Sequence, residues 1–260
     1  MLISLKYLIE KYDLKITGVS HFGAHLGQEI DTYIQNNINN IHLFEPQLQI
    51  YNQLVSNNEV KEGLHFYNFG LGSENKRVNI YLDTAESQSS SILKPKSHLN
   101  LHPNIKFQGT EEIEIKIYDN LKIQNVNFLN IDVQGYELEA LIGCKESFAS
   151  IDYIYTEINS QEVYEECPLV HDLDKFLKDS NFIRVETRWF DNLAWGDAFY
   201  IKTKYLSRKK YIIAKMKKSI FSFSITRYIE LKVIKTLINL KKFFYKLKQG
   251  FKKIIKYKLT

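Results

Sequence analysis

The residues best suited to chemistry fall in two glycine-bearing clusters. VSHFGAHLGQE sets Gly23 and Gly27 between a short apolar run, Ile16 to Ser20, and a helical stretch around Gln28 to Gln35. Small residues at such a turn let the backbone approach a ligand and leave helix amides facing it. The spacing G-x-x-x-G, with no third glycine, does not meet the dinucleotide fingerprint. Glu45, in HLFEP at the end of the next apolar run, is the sharper signal, because a carboxylate there accepts both hydroxyls of a ribose. The plainer alternative is a tight turn in which Glu45 caps the helix opened by Pro46. In the second cluster, NFLNIDVQGYELEALIG, Asp132 ends a continuous apolar run that marks a strand buried on both faces. IDYIYTEIN puts Glu157 at the end of the following strand. Open α/β sheets bind ligands at the carboxyl ends of their strands, so Glu45, Asp132 and Glu157 are expected to converge at one edge. Gly135 permits a turn into a helix whose first turn carries Glu137 and Glu139, and dipole complementarity explains Glu139 more readily than Glu137.

The elements that must position these groups alternate between strand and helix. Extended stretches are read at Ile16–Ser20, Ile41–Phe44, His65–Phe69, Val78–Leu82, Glu112–Tyr118, Val126–Ile131, Ile151–Thr156, Phe182–Thr187 and Ala198–Lys202. Helices are read around Gln28–Gln35, from Pro46 through Val55, at Tyr136–Phe148 and at Leu169–Lys178. This order predicts an α/β domain over residues 1–202, a doubly wound, mostly parallel sheet with an antiparallel edge strand. Between two strands the segment AESQSSSILKPKSHLNLHPNIKF lacks periodicity, and a loop that long is a lid, a binding loop or disordered.

Charge divides the chain of 260 residues. Residues 203–260 hold 18 Lys/Arg against one acid, Glu230, while residues 1–202 carry a net charge of −12. In the tail Leu237, Leu240, Phe244, Leu247, Phe251 and Ile254 recur at helical spacing among lysines, the pattern of a basic amphipathic helix. An anionic membrane surface ranks first as its partner, nucleic acid second, and packing on the acidic body third. Cys144 and Cys167 form no CxxC pair, which suits a reducing compartment. The N-terminal stretch is too short and charged for a secretory signal, and no run is long enough to span a membrane. The expected address is therefore cytoplasmic, peripheral to the membrane through the tail.

The motifs resemble those of FkbM-type methyltransferases, class I enzymes that use S-adenosylmethionine. IDVQGYELEALIG, from Ile131 to Gly143, is similar to the family's most distinctive stretch. FEP at Phe44 to Pro46, SSSIL at Ser89 to Leu93, TEIN at Thr156 to Asn159 and GDAFYIK at Gly196 to Lys202 are similar to its other blocks and run in the same order. Most class I enzymes open the motif D-x-G-A-x-x-G with an acid, where this chain has His21; a subgroup with histidine there and at the position of His25 is similar. The resemblance implies a Rossmann-like fold in which Gly23, Ala24 and Gly27 wrap the methionine part of the cofactor, Glu45 binds its ribose and Asp132 lies beside the sulfonium. Asn68 to Leu71 is then the expected adenine wall, with Phe69 either stacking on the base or belonging to the core. His21 can offer only a neutral acceptor and leaves the partner of the methionine ammonium open.

Methyl transfer to an alcohol requires loss of the hydroxyl proton, and general-base assistance contributes roughly 10²- to 10⁴-fold. The candidates at the carboxyl edge are Asp132, then Glu157, then His25, which could equally orient the cofactor turn. Ser89, Ser90, Ser91 and His98 sit on the long loop that would cover an acceptor; a solvated serine turn is as good a reading. Asp197 could face the cleft or cap a strand, and Trp195 could carry a sugar ring or lie buried. Asp132-Val133-Gln134-Gly135 replaces the Asn/Asp-Pro-Pro-aromatic motif of amino-methylating nucleic-acid enzymes, and neither cysteine stands where cytosine C5 chemistry needs one. O-methylation remains, and the resemblance favours a sugar hydroxyl of a glycan or glycosylated metabolite. A nicotinamide-dependent oxidoreductase on the same fold and a cofactor-binding scaffold without turnover are the alternatives. No metal ligands are assigned, although acids such as Asp132 and Glu157 can flank a divalent ion, and the oligomeric state is left open.

Overall fold

A computed structural model of the chain describes residues 1–58, 62–83, 89–97, 99, 105–190, 193–207, 211, 212 and 214. All but the last three belong to a unit spanning Met1–Arg208. The amphipathic helix read in the tail and His98 lie outside the described residues.

The elements run α1 (Leu5–Tyr12), β1 (Val19–Phe22), α2 (Ile30–Gln35), β2 (Ile41–Phe44), α3 (Leu48–Asn57), β3 (Leu64–Tyr67), β4 (Gly70–Leu71), β5 (Lys76–Asp83), β6 (Phe107–Lys116), β7 (Phe128–Ile131), α4 (Glu137–Ile142), β8 (Tyr153–Asn159), α5 (Val170–Asp179), β9 (Phe182–Trp189) and β10 (Trp195–Lys202). Seven strands form the central sheet in the order β3-β2-β1-β7-β8-β10-β9. The sequence runs outward from β1 to β3 on one side and from β7 on the other, so the strand order reverses between β1 and β7, where such sheets open a ligand crevice.

The antiparallel strand expected at the edge is β10, and it lies one place inside it, paired antiparallel with both β8 and β9. Burial explains the placement. Residues 196–201 of β10 are all buried, as an inner strand requires, whereas β9 leaves Arg184, Glu186 and Arg188 partly or fully exposed and can stand at the margin.

Register carries the candidate acids to one place. Phe22 of β1 pairs with Phe44 of β2 and with Ile131 of β7, and Ile131 pairs with Thr156 of β8. Glu45, Gly23, Asp132 and Glu157 are each the next residue, so they form a row along the carboxyl edge, and Asp197 of β10 pairs with Glu157. At about 4.8 Å between strands the first four span about 14 Å. The apolar residues of these strands, among them Phe22, Phe44, Leu129, Ile131, Ile154 and Ile158, are fixed in one core cluster. On its flank α5 buries Val170, Leu173 and Leu177, and Asp174 of α5 receives Arg184 through Nε at 3.1 Å and Nη2 at 3.0 Å.

Three features depart from the sequence reading. β5 and β6 do not join the central sheet but pair with each other, in a second sheet of order β4-β6-β5. Ile80, Ile113 and Ile115 form its own small core, and the opposite face carries charge, the one-sided pattern of an antiparallel pair. The helix read from Tyr136 to Phe148 stops at Ile142, because Asp119 accepts the amides of Glu146 and Ser147, each at 2.8 Å, and gives that backbone another partner. Finally, α1 was not anticipated: its eight residues bury only Leu5 and Leu8, too short a repeat to stand out. It matters because Met1 and Leu2, just ahead of it, line the cleft.

Candidate active site

The carboxyl edge closes round a cavity of about 520 Å³ lined by the β1 turn, the ends of β2, β7, β8 and β10, the serine segment and the second sheet. That volume falls within the roughly 300–1,000 Å³ of small-molecule sites. Gly23 makes the turn possible. Its φ is +77°, and a Cβ there would lie 1.9 Å from the Asp132 carbonyl oxygen. β1 and β7 therefore approach at the crevice as closely as backbone allows.

Glu45 is buried, with Oε2 accepting the His25 amide at 3.0 Å and Oε1 the Gln47 amide at 2.9 Å. Burial pushes its carboxyl up to about 7, against the pull of those two amides. Each oxygen keeps a second acceptor site, so a vicinal diol can be held by both. The helix-cap and ribose readings are thus both compatible with this position: amides at the turn and at the start of α3 aim the carboxylate into the cavity.

At the centre, the Gln134 side chain joins two acids. Its Nε2 donates to Asp132 Oδ1 at 2.7 Å and to Glu157 Oε2 at 3.1 Å. Its Oε1 accepts the Tyr164 hydroxyl at 2.7 Å, and its carbonyl accepts the Ser91 hydroxyl at 2.6 Å. Gln134 itself adopts φ +52°, followed by Gly135 at +97°. Glu137, fully buried beneath, accepts the amides of Gly135 at 3.0 Å and Val133 at 3.3 Å, which accounts for its burial. Asp132 faces the cavity from among protein groups; desolvation raises its carboxyl to about 6, and the Gln134 amide works the other way. Glu157 is driven well above the usual range by burial and then by the nearby acids Asp132, Glu137 and Asp197. Asp197, also raised by burial, accepts the Leu2 amide at 2.5 Å and the Tyr155 hydroxyl.

These shifts have a sign for stability. Glu45 and Glu137 have folded values of about 7, and Glu157 too is raised well above an unfolded value near 4.5. Through these acids the folded protein binds more protons than the unfolded chain from about 4.5 upward, and their share of stability falls as pH rises through that window, while His21 and His42, lowered to about 4 from 6.5, oppose part of it. Thermal unfolding of the ligand-free protein is expected to have a higher midpoint at pH near 5 than near 8; the reverse order would contradict these environments.

The histidines of the turn differ. His21 is buried and brought to about 4 by desolvation, hence neutral. Asn130 Nδ2 donates to the Tyr33 hydroxyl at 2.7 Å, and that hydroxyl lies 3.3 Å from His21 Nδ1. His25 has φ +48° and its Nδ1 lies 2.9 Å from Gln28 Nε2, within the turn.

Of the residues singled out from sequence, His21, Gly23, Ala24, His25, Glu45, Ser89, Ser90, Asp132, Glu157, Trp195 and Asp197 line the cavity. Gly27 lies behind it, against Ile30 and Leu54, where its φ of +80° turns the chain into α2. Asn68 and Phe69 are not in the wall: Asn68 donates to the carbonyls of Glu45 and Pro46, and Phe69 packs beside Phe44 and Tyr67 with Lys116 Nζ 4.4 Å from its ring centroid. Gly70, Leu71 and Ile115 form that side. Ser91 is set back, clamping Gln134. Trp195 stacks on Phe190 at 4.6 Å. The sequence reading missed Gln134, Tyr155, Tyr164 and Glu29, all in the wall. Strand alternation would have placed Tyr155 on the same face as Glu157; the others depend on loops.

Among the described residues, no three His, Cys, Asp or Glu side chains are grouped to hold a metal, and no helix is long and apolar enough to cross a membrane.

Comparison with known proteins fits this architecture. Residues 21–184 match the Methyltransferase FkbM domain family. The 2-O-methyltransferase NoeI of Sinorhizobium fredii is 25% identical over 169 residues, covering 61% of this chain and 68% of NoeI. The crystal structure of Methyltransferase FkbM from Methylobacillus flagellatus KT superposes with a TM-score of 0.50 at 14% identity over 71% of this chain, and this chain spans 43% of its length. Nothing in these matches supports a nicotinamide-dependent oxidoreductase or a scaffold without turnover. The chain belongs to the FkbM methyltransferase family and is an S-adenosylmethionine-dependent methyltransferase.

Proposed function

We propose that the enzyme methylates a hydroxyl of a sugar, in a glycan or glycosylated metabolite, with Asp132 as general base. The observation that carries this reading is the Asp132–Gln134–Glu157 bridge at the strand ends. S-adenosylmethionine supplies an activated methyl group, so the protein's task is to hold a nucleophile in line and take its proton. Glu45 would hold the ribose and the Gly23 turn would cradle the amino-acid portion. Asp132 then stands between the cofactor side and Glu157. Gln134 aims its carboxylate and favours its ionised form by donating to it, while burial and the neighbouring acids push Glu157 well above the usual carboxylate range.

The acceptor side is rich in hydrogen-bond acceptors: Glu157 and Asp197 flank Tyr155 and Tyr164, and no Lys or Arg is among the described lining residues. Such a wall suits a neutral, hydroxyl-rich molecule and disfavours a phosphate or carboxylate beside the reacting oxygen. Trp195 offers a ring face for a sugar. NoeI, named a 2-O-methyltransferase, supports oxygen as the acceptor atom.

The test is methyl transfer from labelled S-adenosylmethionine into fractionated cell extract. Label is expected in a glycan fraction, in a linkage that survives mild base as an ether does. Label released by mild base would indicate a carboxyl ester, and label confined to protein or nucleic acid would refute the sugar.

A further inference from the structure

Strand alternation sorts the side chains of β8 and β10 into two faces. Ile154 and Ile158 of β8 and Ala198 and Tyr200 of β10 belong to the core cluster. On the other face Tyr155 and Glu157, with Trp195 and Asp197 beside them, line the cavity. Asn159 falls on that same face, two residues beyond Glu157 and in register with Trp195.

The polar groups of this face find partners within the protein, with one exception. Tyr155 donates to Asp197, and Glu157 accepts the Gln134 amide at 3.1 Å. Asn159 is fully buried, yet neither its Oδ1 nor its Nδ2 has a hydrogen-bond partner, and among the described residues these are the only buried side-chain atoms left so. A loose backbone does not explain it. Asn159 is paired with β10, and the next residue, Ser160, donates through its amide to the Ala194 carbonyl at 2.8 Å and through its hydroxyl to the Leu193 carbonyl at 2.6 Å. Burying a carboxamide without partners is unfavourable, and an apolar side chain would occupy this place without that cost. The fold therefore holds, on a rigid strand end, an amide whose donors and acceptor are uncommitted.

The chemistry of that amide fits a hydroxyl, which also donates and accepts and carries no charge. Two residues along a strand advance about 7 Å, so Asn159 is too far from Glu157 to share the reacting oxygen and meets a different group of the same molecule. Trp195, half-buried and stacked on Phe190 at 4.6 Å, stands beside it with an aromatic surface for the ring that would carry both hydroxyls.

We propose that Asn159 is a specificity-determining residue of the acceptor site, whose amide binds a free hydroxyl of the sugar other than the one methylated once the Trp195 side chain shifts to admit the ring. The inference rests on the sugar-hydroxyl reading and narrows it: the acceptor carries a second free hydroxyl, and a sugar substituted there is a poor substrate.

Asn159→Ala and Asn159→Val test it, assayed with the glycan fraction that takes label from the wild type, by S-adenosylhomocysteine titration and by thermal unfolding. Removing an amide that has no partner should leave the unfolding midpoint within a few degrees and S-adenosylhomocysteine affinity within about twofold. The apparent KM for the glycan fraction should rise roughly ten- to hundredfold, with kcat within about threefold. Valine fills more of the space than alanine and so controls for the cavity that alanine leaves. An unchanged KM in both variants would leave the amide to an internal water and overturn the proposal. A large fall of the midpoint in both would make Asn159 a support of the fold, and a matching loss of S-adenosylhomocysteine affinity would assign it to the cofactor; either overturns the proposal as well. A wild type that labels no glycan fraction would overturn the sugar reading itself, and this inference with it.

Discussion

Asp132→Asn is expected to transfer methyl groups roughly 10²- to 10⁴-fold more slowly than the wild type, with S-adenosylhomocysteine affinity kept within about threefold. Asparagine retains the shape and the contact with Gln134 but cannot take a proton. The residue it replaces has a carboxyl raised to about 6, so it is ionised at neutral pH. The base works in its deprotonated form, and the wild-type rate should therefore fall as pH drops through about 6, by at most tenfold per unit. Two comparisons make the result decisive. Glu157→Gln should cost less, because a glutamine there can still accept the Gln134 amide that aims Asp132. If instead Asp132→Asn keeps full activity and Glu157→Gln loses it, the base is Glu157; if both keep it, neither carboxylate takes the proton. The assay is initial-rate transfer of labelled methyl into whichever glycan fraction accepts label from the wild type.

Gly23→Ala is expected to abolish cofactor binding and to lower the unfolding midpoint by several degrees. A side chain at φ +77° costs about 1–3 kcal/mol before contacts are considered. Here the added Cβ would also meet the Asp132 carbonyl at 1.9 Å, a backbone atom just past the end of β7, a strand paired on both sides. The clash can be relieved only by moving the β1 turn away from β7, which opens the crevice and displaces Asp132 itself. Gly27→Ala provides the contrast. Its φ is +80°, yet its Cβ would meet the side-chain ends of Ile30 and Leu54 at 2.5 and 2.8 Å, atoms that can rotate aside. Thermal unfolding and S-adenosylhomocysteine titration of both variants will decide; Gly23→Ala binding within about threefold of wild type would contradict the close approach described for it.

The row of acids was readable because strand ends are readable. Glu45, Asp132 and Glu157 each follow an apolar run whose last residue is in register with its neighbours, so counting along the strands also counts along the edge. The extended character of β5 and β6 was equally visible, but their pairing with each other was not, since alternation reports which face is dry and not which strand lies beside it. Gln134 escaped for a different reason. Its function depends on a left-handed backbone that swings an amide between two carboxylates, and nothing in the letters DVQG distinguishes that geometry from an ordinary strand-to-helix turn. Phe69 shows the converse: an aromatic residue in the expected place after β3, turned toward Phe44 and Tyr67 and absent from the cavity wall.

The tie between Ser91 and Gln134 reaches further than the site itself. The hydroxyl of Ser91 is held by the carbonyl of the residue whose side chain aims both acids, and the neighbouring Ser89 carbonyl receives Tyr164, which also steadies that side chain. The segment proposed to meet the acceptor and the groups proposed to activate it are thus parts of one lever. Exchanging this segment between relatives to acquire a new acceptor would retune the reaction at the same time, so that turnover, and not only selectivity, is inherited with the loop.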